Sequence, residues 1–362
     1  MKKLLLFSLF LFIGIKPCFA SIDTARQYIL MDETTGRVLQ GKNYHTPMLI
    51  ASITKILTCV IAIESRKLDK TVVVDEVINE SYGSGIYIEV GEEIKLRDLL
   101  YGLMLRSGND AALMIAKYVS GDVETFVETM NSKAKEIGMI NSTFVNPSGL
   151  DNTDGGNYST AYDMALLTRY AMQYEEYQKI VSTKKYTVKT NKKTYVWKNK
   201  NKLLSEDYIT GGKTGYTEKA RRTLVSTGSN NNMKLIVVTI NDSDDWNTHK
   251  DLYNYTFSNY IAYRVLNKKT FSIIGDTYYN GTFYINNNVY IPFKKTELAS
   301  LIGKIELEKK TIYQNNDKVG RYLIYLNDNL IHEEPIYIDN VDIGSKSSKK
   351  NIFDILKGLF KW

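Results

Sequence analysis

The sequence predicts an α+β fold: one antiparallel sheet built from strands near both ends of a first domain, with helices packed on it, followed by a small all-β domain. Strand-like segments separated by turn residues occur at residues 26–39 and again from 186 to 240. Between them, apolar residues recur at helical spacing from about residue 53 to 172. From residue 270 to 338, short β-like segments alternate with Asn, Gly and Asp turns, which is typical of a separate β domain.

Each element follows from its local pattern. A hairpin is predicted from strands at 26–31 and 37–39, which an Asp-Glu-Thr-Thr-Gly turn joins. Helices are predicted at 53–64, 96–105, 111–119, 123–137 and 160–172, the last with Ser159 or Thr160 as its cap. Later strands are predicted at 186–188, 194–197, 223–227 and 235–240, before a closing helix at 251–265. We place the first domain at 21–265 and the small β domain at 266–340.

Composition excludes several classes of protein. The chain has 362 residues, 43% of them hydrophobic, which is enough for a large core and too apolar for a disordered polyelectrolyte. Its two cysteines cannot form the framework of a disulfide-rich scaffold. The formal net charge is +7, and three of the lysines behind it lie within the first twenty residues. The small remaining excess does not indicate a nucleic-acid partner, but it suits a protein that works beside an anionic surface.

Residues 1–20 have the pattern of an export signal. Lys2 and Lys3 precede an apolar run, and Cys18-Phe19-Ala20 offers small residues at the positions before a cleavage site. A transmembrane anchor is the alternative, but the apolar run is shorter than the ~20 residues that a span needs. We therefore predict a signal peptide and an exported protein.

The last residues suggest a membrane-binding helix. Residues 341–350 form a Ser- and Lys-rich linker, and residues 351–362 form a short amphipathic helix. One half of its helical wheel is apolar, and this half holds Ile352, Phe353, Ile355, Leu356, Leu359, Phe360 and Trp362. Such a helix is too short to span a bilayer, so we predict that it lies in the membrane surface. The alternative is a helix that docks on the β domain of the same chain.

Three short motifs stand out by their order and spacing: Ser52-Ile53-Thr54-Lys55, Ser107-Gly108-Asn109 and Lys213-Thr214-Gly215. Alone, the first has little weight, because Ser-x-x-Lys occurs at three other places in the chain, whereas Lys-Thr-Gly occurs once. The combination of the three motifs, and the helix start at which the first one lies, carry the signal.

Ser52 and Lys55 are candidates for a nucleophile and its base. They are three residues apart at a helix start, so their side chains share one face, and free N–H groups there suit a developing oxyanion. A serine hydroxyl needs a base, and none of the three histidines lies in a motif that places it beside a serine. Lys55 can act as that base if it is neutral, which burial and the nearby charge of Lys213 would favour. We predict no metal site, because the scattered histidines and cysteines form no ligand cluster.

These motifs and the residues around them resemble the low-molecular-mass penicillin-binding proteins, the serine-type D-alanyl-D-alanine carboxypeptidases of bacteria. The resemblance covers about residues 25–262, and the rest of the chain resembles that family more loosely. The stretches that carry it are 29–32, 51–55, 105–112, 144–150, 158–163 and 212–217. It implies a β-lactamase/transpeptidase-like antiparallel sheet with helices on both faces and a helical subdomain. It also implies action without a cofactor, outside the cytoplasm, at the bacterial membrane face or cell wall.

The resemblance implies a role for the first two motifs. Ser52 would attack the carbonyl between the last two D-alanines of a peptidoglycan stem peptide, while Lys55 takes its proton. Ser107 would relay a proton to the leaving D-alanine, and Asn109 would hold a substrate amide. β-Lactam antibiotics would acylate the same serine.

The third motif would bind the substrate. Backbone N–H groups of Ser52 and Tyr216 would form the oxyanion hole. Lys213 and Thr214 would contact the terminal carboxylate, and Gly215 lies between Thr214 and Tyr216 in this substrate-binding segment. Lys213 would also assist the proton relay.

The sequence departs from the family pattern near the expected carboxylate site. Ala220-Arg221-Arg222 stands where Ala-Gly is common, and Asp244-Asp245 stands near a position where the family often has an Arg. Either arginine could bind the carboxylate, or both could be surface residues of a strand. Asn157 stands where a His often precedes Tyr-Ser-Thr-Ala.

Other functions share these motifs. A serine β-lactamase with this motif order would need a Glu for deacylation, and residues 140–150 contain none. A non-catalytic penicillin-sensing or wall-binding module would be expected to lose Ser52, Lys55 or Lys213, and all three are present. The eight lysines of residues 184–202 could contact anionic wall polymers or form a solvated hairpin.

Overall fold

The computed structural model describes residues 24–153, 155–273, 276 and 278–341. The predicted signal peptide, nearly all of the predicted linker and the predicted tail helix lie outside these residues. Within the described part of the chain, no helix combines the length and apolar character needed to cross a bilayer.

Most of the helices lie between the first strands and the later strands of the central sheet, as the sequence predicts. The strands are β1 Ala25–Asp32, β2 Val38–Lys42, β3 Met48–Leu49, β4 Thr71–Val73, β5 Glu93–Lys95, β6 Tyr158–Ser159, β7 Lys185–Lys189, β8 Thr194–Lys198, β9 Ile209–Thr217, β10 Arg221–Asn230, β11 Met233–Asp242, β12 Ile261–Leu266, β13 Thr270–Phe271, β14 Thr282–Tyr284, β15 Val289–Phe293, β16 Leu301–Leu307, β17 Lys318–Leu326 and β18 Asn329–Asp339. The α-helices are α1 Lys55–Glu64, α2 Leu96–Tyr101, α3 Asn109–Ser120, α4 Val123–Ile137, α5 Ala161–Ala171, α6 Glu175–Ser182 and α7 Asp245–Asn259.

The central sheet has the strand order β2-β1-β11-β10-β9 and is antiparallel throughout. The N-terminal strand β1 pairs along its length with β11, so strands from the two ends of the first domain meet at the middle of the sheet. This confirms the predicted antiparallel sheet built from both ends. Strand β9 forms one edge of the sheet, which leaves its outer side open toward the functional site.

Helices cover both faces of the sheet because its strands are apolar on both sides. In β11, Ile236 and Val238 face the core that contains α1 and α5, while Leu235 and Val237 face the core that contains α7. The helices α2, α3 and α4 pack around α1 and extend the first of these cores into a helical region.

Helix boundaries follow capping residues. Helix α4 has the predicted limits, with the Asp122 carboxylate accepting a hydrogen bond from the Thr125 N–H and Gly138 in the left-handed conformation after its last turn. Of the two caps proposed for α5, the structure selects Thr160, whose Oγ1 accepts from the Asp163 N–H at 2.9 Å.

Several segments differ from the sequence prediction. Helix α6 and the short strands β3 to β6 lie where no element was predicted. The closing helix, predicted at 251–265, is α7 at Asp245–Asn259, and the following residues form β12, which pairs with β15. Ile261, Tyr263 and Val265 alternate with other residues as in a strand, and the predicted helix wrongly included them. Strand β9 was not predicted, since three glycines within Ile209–Thr217 lower its β propensity. Pairing with β10 along its whole length overrides that propensity.

The C-terminal region forms a second antiparallel sheet with the order β13-β14-β18-β17-β16. Its two apolar clusters are built around Ile291 and Phe293, and around Val319 and Ile336. Arg37 in the first hairpin forms an ion pair with Glu297 and donates to the carbonyl oxygen of Pro292 in β15, which links this hairpin to the two-stranded sheet of β12 and β15.

A buried histidine connects α7 to the sheet. The His249 ring is fully buried, with Nδ1 2.7 Å from Ser226 Oγ and Nε2 3.1 Å from Thr239 Oγ1. Burial lowers its pKa from the ordinary value of 6.5 to about 3. His249 is therefore a neutral structural residue and not a catalytic base beside a serine at the protein surface.

We expect His249 to make folding stability sensitive to acid. The unfolded chain binds a proton at this residue below about pH 6.5, while the folded chain does so only near pH 3. The free energy of unfolding therefore decreases as the pH is lowered from about 6.5 toward 3. The slope is about 1.4 kcal/mol per pH unit. His249→Gln should be less stable at pH 7 but should lose stability less steeply from pH 6.5 to 4, as measured by urea unfolding. His45→Gln, at an exposed position, is the control and should keep the wild-type slope. An unchanged slope in His249→Gln would refute this assignment.

Candidate active site

Ser52 lies on a tight turn that leads into α1. Residues Ala51–Thr54 form a 3₁₀ turn, and the α-helix begins at Lys55, so the predicted helix start is correct to within two residues. Ala51 has a positive φ of 48°, an uncommon backbone conformation for a residue with a side chain. Gly149 packs against this turn with a φ of +81°, and a Cβ there would lie 1.9 Å from the Ala51 carbonyl oxygen. The turn presents Ser52 half-exposed at the surface, while the residues around it are buried.

Lys55 is fully buried directly beneath Ser52. Its Nζ lies 3.0 Å from Ser52 Oγ, 2.8 Å from Asn109 Oδ1 and 2.5 Å from the carbonyl oxygen of Ser148. The expected proximity of Ser52 and Lys55 is therefore present, and two further chain segments converge on the same amine.

The environment of Lys55 favours its neutral form. Burial lowers the pKa of Lys55 well below its ordinary value of 10.5, and the charges of Lys213 and Lys200 lower it further, while Asp110 opposes them. A neutral amine has two N–H groups and one lone pair. The carbonyl oxygens of Asn109 and Ser148 can accept the two N–H groups, which leaves the lone pair for the Ser52 hydroxyl to donate to. This is the direction of pKa shift that the sequence analysis expected.

The second motif forms the turn between α2 and α3. Ser107 has a φ of 65° after a single π-helical turn at Gly102–Arg106, and Asn109 begins α3. The Asn109 side chain uses both of its ends: Oδ1 faces Lys55, and Nδ2 donates to the carbonyl oxygen of Tyr82 at 2.6 Å. Asn109 therefore positions Lys55 in this structure, and its contact with a substrate amide, which the family resemblance implies, stays a prediction.

The third motif lies on the edge strand β9. The Lys213 side chain is buried, and its Nζ donates to Ser107 Oγ at 3.0 Å and to the Thr214 carbonyl oxygen at 2.6 Å. Burial, followed by the charge of Lys200, lowers the pKa of Lys213 to about 7. Lys213 therefore joins the second motif to the third through the Ser107 hydroxyl.

Gly215 allows β9 to approach the Ser52 turn. A Cβ at this position would lie 2.9 Å from the Ser52 backbone nitrogen and 2.3 Å from Thr223 Oγ1. A side chain would force the strand away from Ser52, so Gly215 sets the spacing between the nucleophile turn and the sheet edge. Thr214 and the exposed Tyr216 lie on either side of it.

Two clefts open on either side of Ser52. One has a volume of about 400 Å³ and is lined by residues that include Ser52, Ser107, Thr214 and Tyr216. The other has a volume of about 670 Å³ and runs past Tyr216 toward the loop that follows Leu150. All eight positions of the predicted site are therefore brought to one place: Lys55, Asn109 and Lys213 beneath the surface, and the others at or beside the clefts.

Sequence reasoning missed several contributors to the site. The carbonyl groups of Ser148 and Tyr82 hold Lys55 and Asn109, and the Asp110 carboxylate accepts from the backbone N–H groups of Ile86 and Tyr87. Asp110 and Ser148 lie inside the stretches that carry the family resemblance, but that resemblance assigned them no role. Their roles depend on loop positions, which local sequence does not reveal.

Two further positions named in the sequence analysis have structural contacts. Asn157 accepts from the Val145 and Asn146 N–H groups and donates to Thr54 Oγ1, so it ties the loop that carries Ser148 to the nucleophile turn. In the lysine-rich run, Lys192 and Lys193 pair with Glu89, which docks the β7–β8 hairpin on the neighbouring loop.

Comparison with known proteins supports the reading of these motifs. Residues 18–244, more than half of the chain, match the Peptidase S11 family model, described as D-alanyl-D-alanine carboxypeptidase. The chain is 36% identical over 221 residues to D-alanyl-D-alanine carboxypeptidase DacF of Bacillus subtilis, a match that covers 59% of this chain and 56% of the relative. It is 34% identical over 260 residues to DacC of Escherichia coli, covering 66% of this chain and 63% of the relative. These matches thus span less than two thirds of either relative.

Solved structures extend the likeness to the fold. The chain resembles penicillin binding protein 5 from Haemophilus influenzae with a TM-score of 0.70 and 27% identity, over 88% of this chain and 97% of that one. It resembles a mutant of the Streptomyces K15 DD-transpeptidase with a TM-score of 0.61 and 30% identity, over 65% of this chain and 98% of that one. The predicted β-lactamase/transpeptidase-like α+β fold is thereby confirmed. With its motifs assembled on that fold, the chain belongs to the Peptidase S11 family of D-alanyl-D-alanine carboxypeptidases.

Proposed function

We propose that this protein is a serine carboxypeptidase that removes the terminal D-alanine from peptidoglycan stem pentapeptides through an acyl-enzyme on Ser52. The observation that carries the proposal is the buried Lys55 amine, which lies 3.0 Å from Ser52 Oγ and whose pKa is lowered by burial and by Lys213. Family membership supplies the substrate class, and the site supplies a nucleophile with a base already in contact.

Acylation uses the first motif. As Ser52 Oγ attacks the carbonyl carbon between the two D-alanines, its proton passes to Lys55 Nζ and a C–O bond forms. Backbone N–H groups of Ser52 and Tyr216 are the donors that we assign to the developing oxyanion. Asn109 and Ser148 keep the Lys55 amine aimed at Ser52 through the two hydrogen bonds that do not involve the reacting hydroxyl.

Departure of D-alanine uses the second and third motifs. The C–N bond breaks as Ser107 passes a proton to the leaving nitrogen, and Ser107 regains a proton from the lysine network. Lys213 supports this relay, since its Nζ contacts Ser107 Oγ at 3.0 Å and its pKa of about 7 lets it exchange a proton near neutrality. Water then attacks the acyl-enzyme, with Lys55 as its base. A β-lactam enters the same first step and leaves Ser52 acylated.

The site of action is also part of the proposal. The export pattern at residues 1–20 and the amphipathic pattern at residues 351–362 support an exported enzyme that is held at the extracytoplasmic face of the cell membrane, where a stem peptide would be available.

Replacing Ser52 tests the nucleophile. Ser52→Ala should abolish both D-alanine release from a pentapeptide and the mass increase that benzylpenicillin gives, because no other serine hydroxyl contacts Lys55 Nζ among the described residues. Intact-mass measurement and peptide mapping report both the label and its position. Ser132→Ala is the matched control, since Ser132 begins another Ser-x-x-Lys sequence but lies exposed on α4, and it should label as the wild type does. Persistent covalent labelling of Ser52→Ala would reject the assignment.

Replacing Lys213 tests the electrostatic coupling. In Lys213→Met the like charge next to Lys55 is gone, so the pKa of Lys55 should rise toward 10.5 and less of its neutral form should remain at pH 7. The acid limb of the pH profile for acylation should therefore move to higher pH. The rate at pH 7 should fall by about 100-fold, because Ser107 also loses its partner in the proton relay.

The matched control for Lys213→Met is Lys198→Met. Lys198 is exposed on the neighbouring hairpin and is not among the charges that lower the pKa of Lys55. Its pH profile should equal that of the wild type. An acid limb that stays in place in Lys213→Met would show that Lys213 does not set the protonation of Lys55.

A further inference from the structure

An arginine on β10, the strand next to the edge strand β9, lines the smaller cleft beside Ser52. Arg222 lies on β10 directly opposite Tyr216 on β9, so it stands one strand behind the Lys-Thr-Gly motif. It shares the cleft of about 400 Å³ with Ser52, Thr214, Asp245 and Trp246. Arg221, its neighbour along the strand, is exposed and does not line this cleft.

The guanidinium of Arg222 is fixed from two sides. Its Nε and Nη2 donate to Asp245 Oδ1 at 3.1 and 2.5 Å, and its carbon lies 5.3 Å from the centroid of the Trp246 ring. The Asp245 side chain is 2% exposed, whereas the Arg222 side chain is 39% exposed. The buried partner therefore holds the arginine in place, while the arginine itself still faces the cleft.

This arrangement leaves donors available to a ligand. A guanidinium carries five N–H donors, and the two contacts to Asp245 engage only part of them. A planar, preset fork of this kind matches a carboxylate and loses little side-chain entropy when it binds one.

The neighbouring lysines Lys55 and Lys213 are less suited than an arginine to bind a carboxylate that is always charged. Burial and like charges lower the pKa of Lys55 well below its ordinary value and that of Lys213 to about 7. Near neutral pH Lys213 is therefore partly uncharged, and the lowered pKa of Lys55 favours its neutral form. An arginine keeps its charge at any working pH.

We propose that Arg222 binds the C-terminal carboxylate of the leaving D-alanine, with Asp245 and Trp246 as its positioning residues. This inference rests on the proposed function and names the group that recognises the charged end of the substrate. It leaves Lys213 free to exchange a proton with Ser107 while Arg222 supplies the lasting positive charge. It also assigns a role to the acid at position 245, which stands near a position where the family often has an arginine.

Paired substrates test this inference. The whole chain is assayed with an acyl-D-alanyl-D-alanine peptide that has a free carboxylate and with the same peptide ending in a carboxamide. Arg222→Gln should lower kcat/KM for the free-acid peptide by about 10- to 100-fold, mainly through KM, because a charge-assisted contact is lost. It should change kcat/KM for the carboxamide peptide less than about threefold. Arg222→Lys should restore part of the activity on the acid, since it keeps the charge without the fork.

Further variants separate binding from folding. Asp245→Asn should raise KM for the free-acid peptide and leave kcat/KM for the carboxamide peptide unchanged. The reason is that this variant weakens the contact that positions Arg222 but keeps Arg222 itself. Arg221→Gln is the matched control on the same strand and should behave as the wild type. An equal loss on both peptides in Arg222→Gln and Arg222→Lys, or no loss on either, would overturn the inference. Failure of the proposed function would look different, since the wild-type chain itself would then release no D-alanine from the free-acid peptide.

Discussion

The site depends on keeping one amine, the Nζ of Lys55, out of water. A buried ammonium without a compensating carboxylate is costly, so the protein lowers the pKa of this group instead of pairing it. The three oxygens around Nζ come from the nucleophile turn, from α3 and from the loop that carries Ser148. Those segments are far apart in sequence, so the base exists only when the helical region, the loop and the turn have all packed together.

Other contacts hold the segments that surround Lys55 in place. The Asp110 carboxylate fixes the loop after Tyr82 by accepting backbone N–H groups, and Asn157 fixes the loop before Ser148. Strand β9 closes the remaining side, and the absence of a side chain at Gly215 lets it reach the Ser52 turn. Lys213 then meets Ser107 across the junction. The sheet edge and the helical region thus act as two rigid supports for one proton-transfer network.

Sequence reasoning reached the parts of this structure that local patterns determine. The limits of α4, a cap at Ser159 or Thr160 and the shared face of Ser52 and Lys55 follow from residue types at short spacing, and the structure selects Thr160 as the cap. Strand β9 escaped prediction because its glycines serve tertiary contact rather than β propensity. The acceptors that hold Lys55 also escaped, because the Ser148 carbonyl belongs to a loop whose place is set by long-range packing. The contact of the Asn109 side chain with the Tyr82 carbonyl oxygen escaped for the same reason.

The central claim is that Lys55 is neutral at the pH of catalysis, and a titration of the lysines observes this directly. Protein labelled with ¹³C at lysine Cε is followed by NMR from pH 5 to 11, and the Lys55 signal is identified by its loss in Lys55→Arg. The account predicts that this signal already has the shift of a neutral amine at pH 7, well below the ordinary pKa of 10.5. A Lys55 signal that titrates near 10.5 would contradict the account.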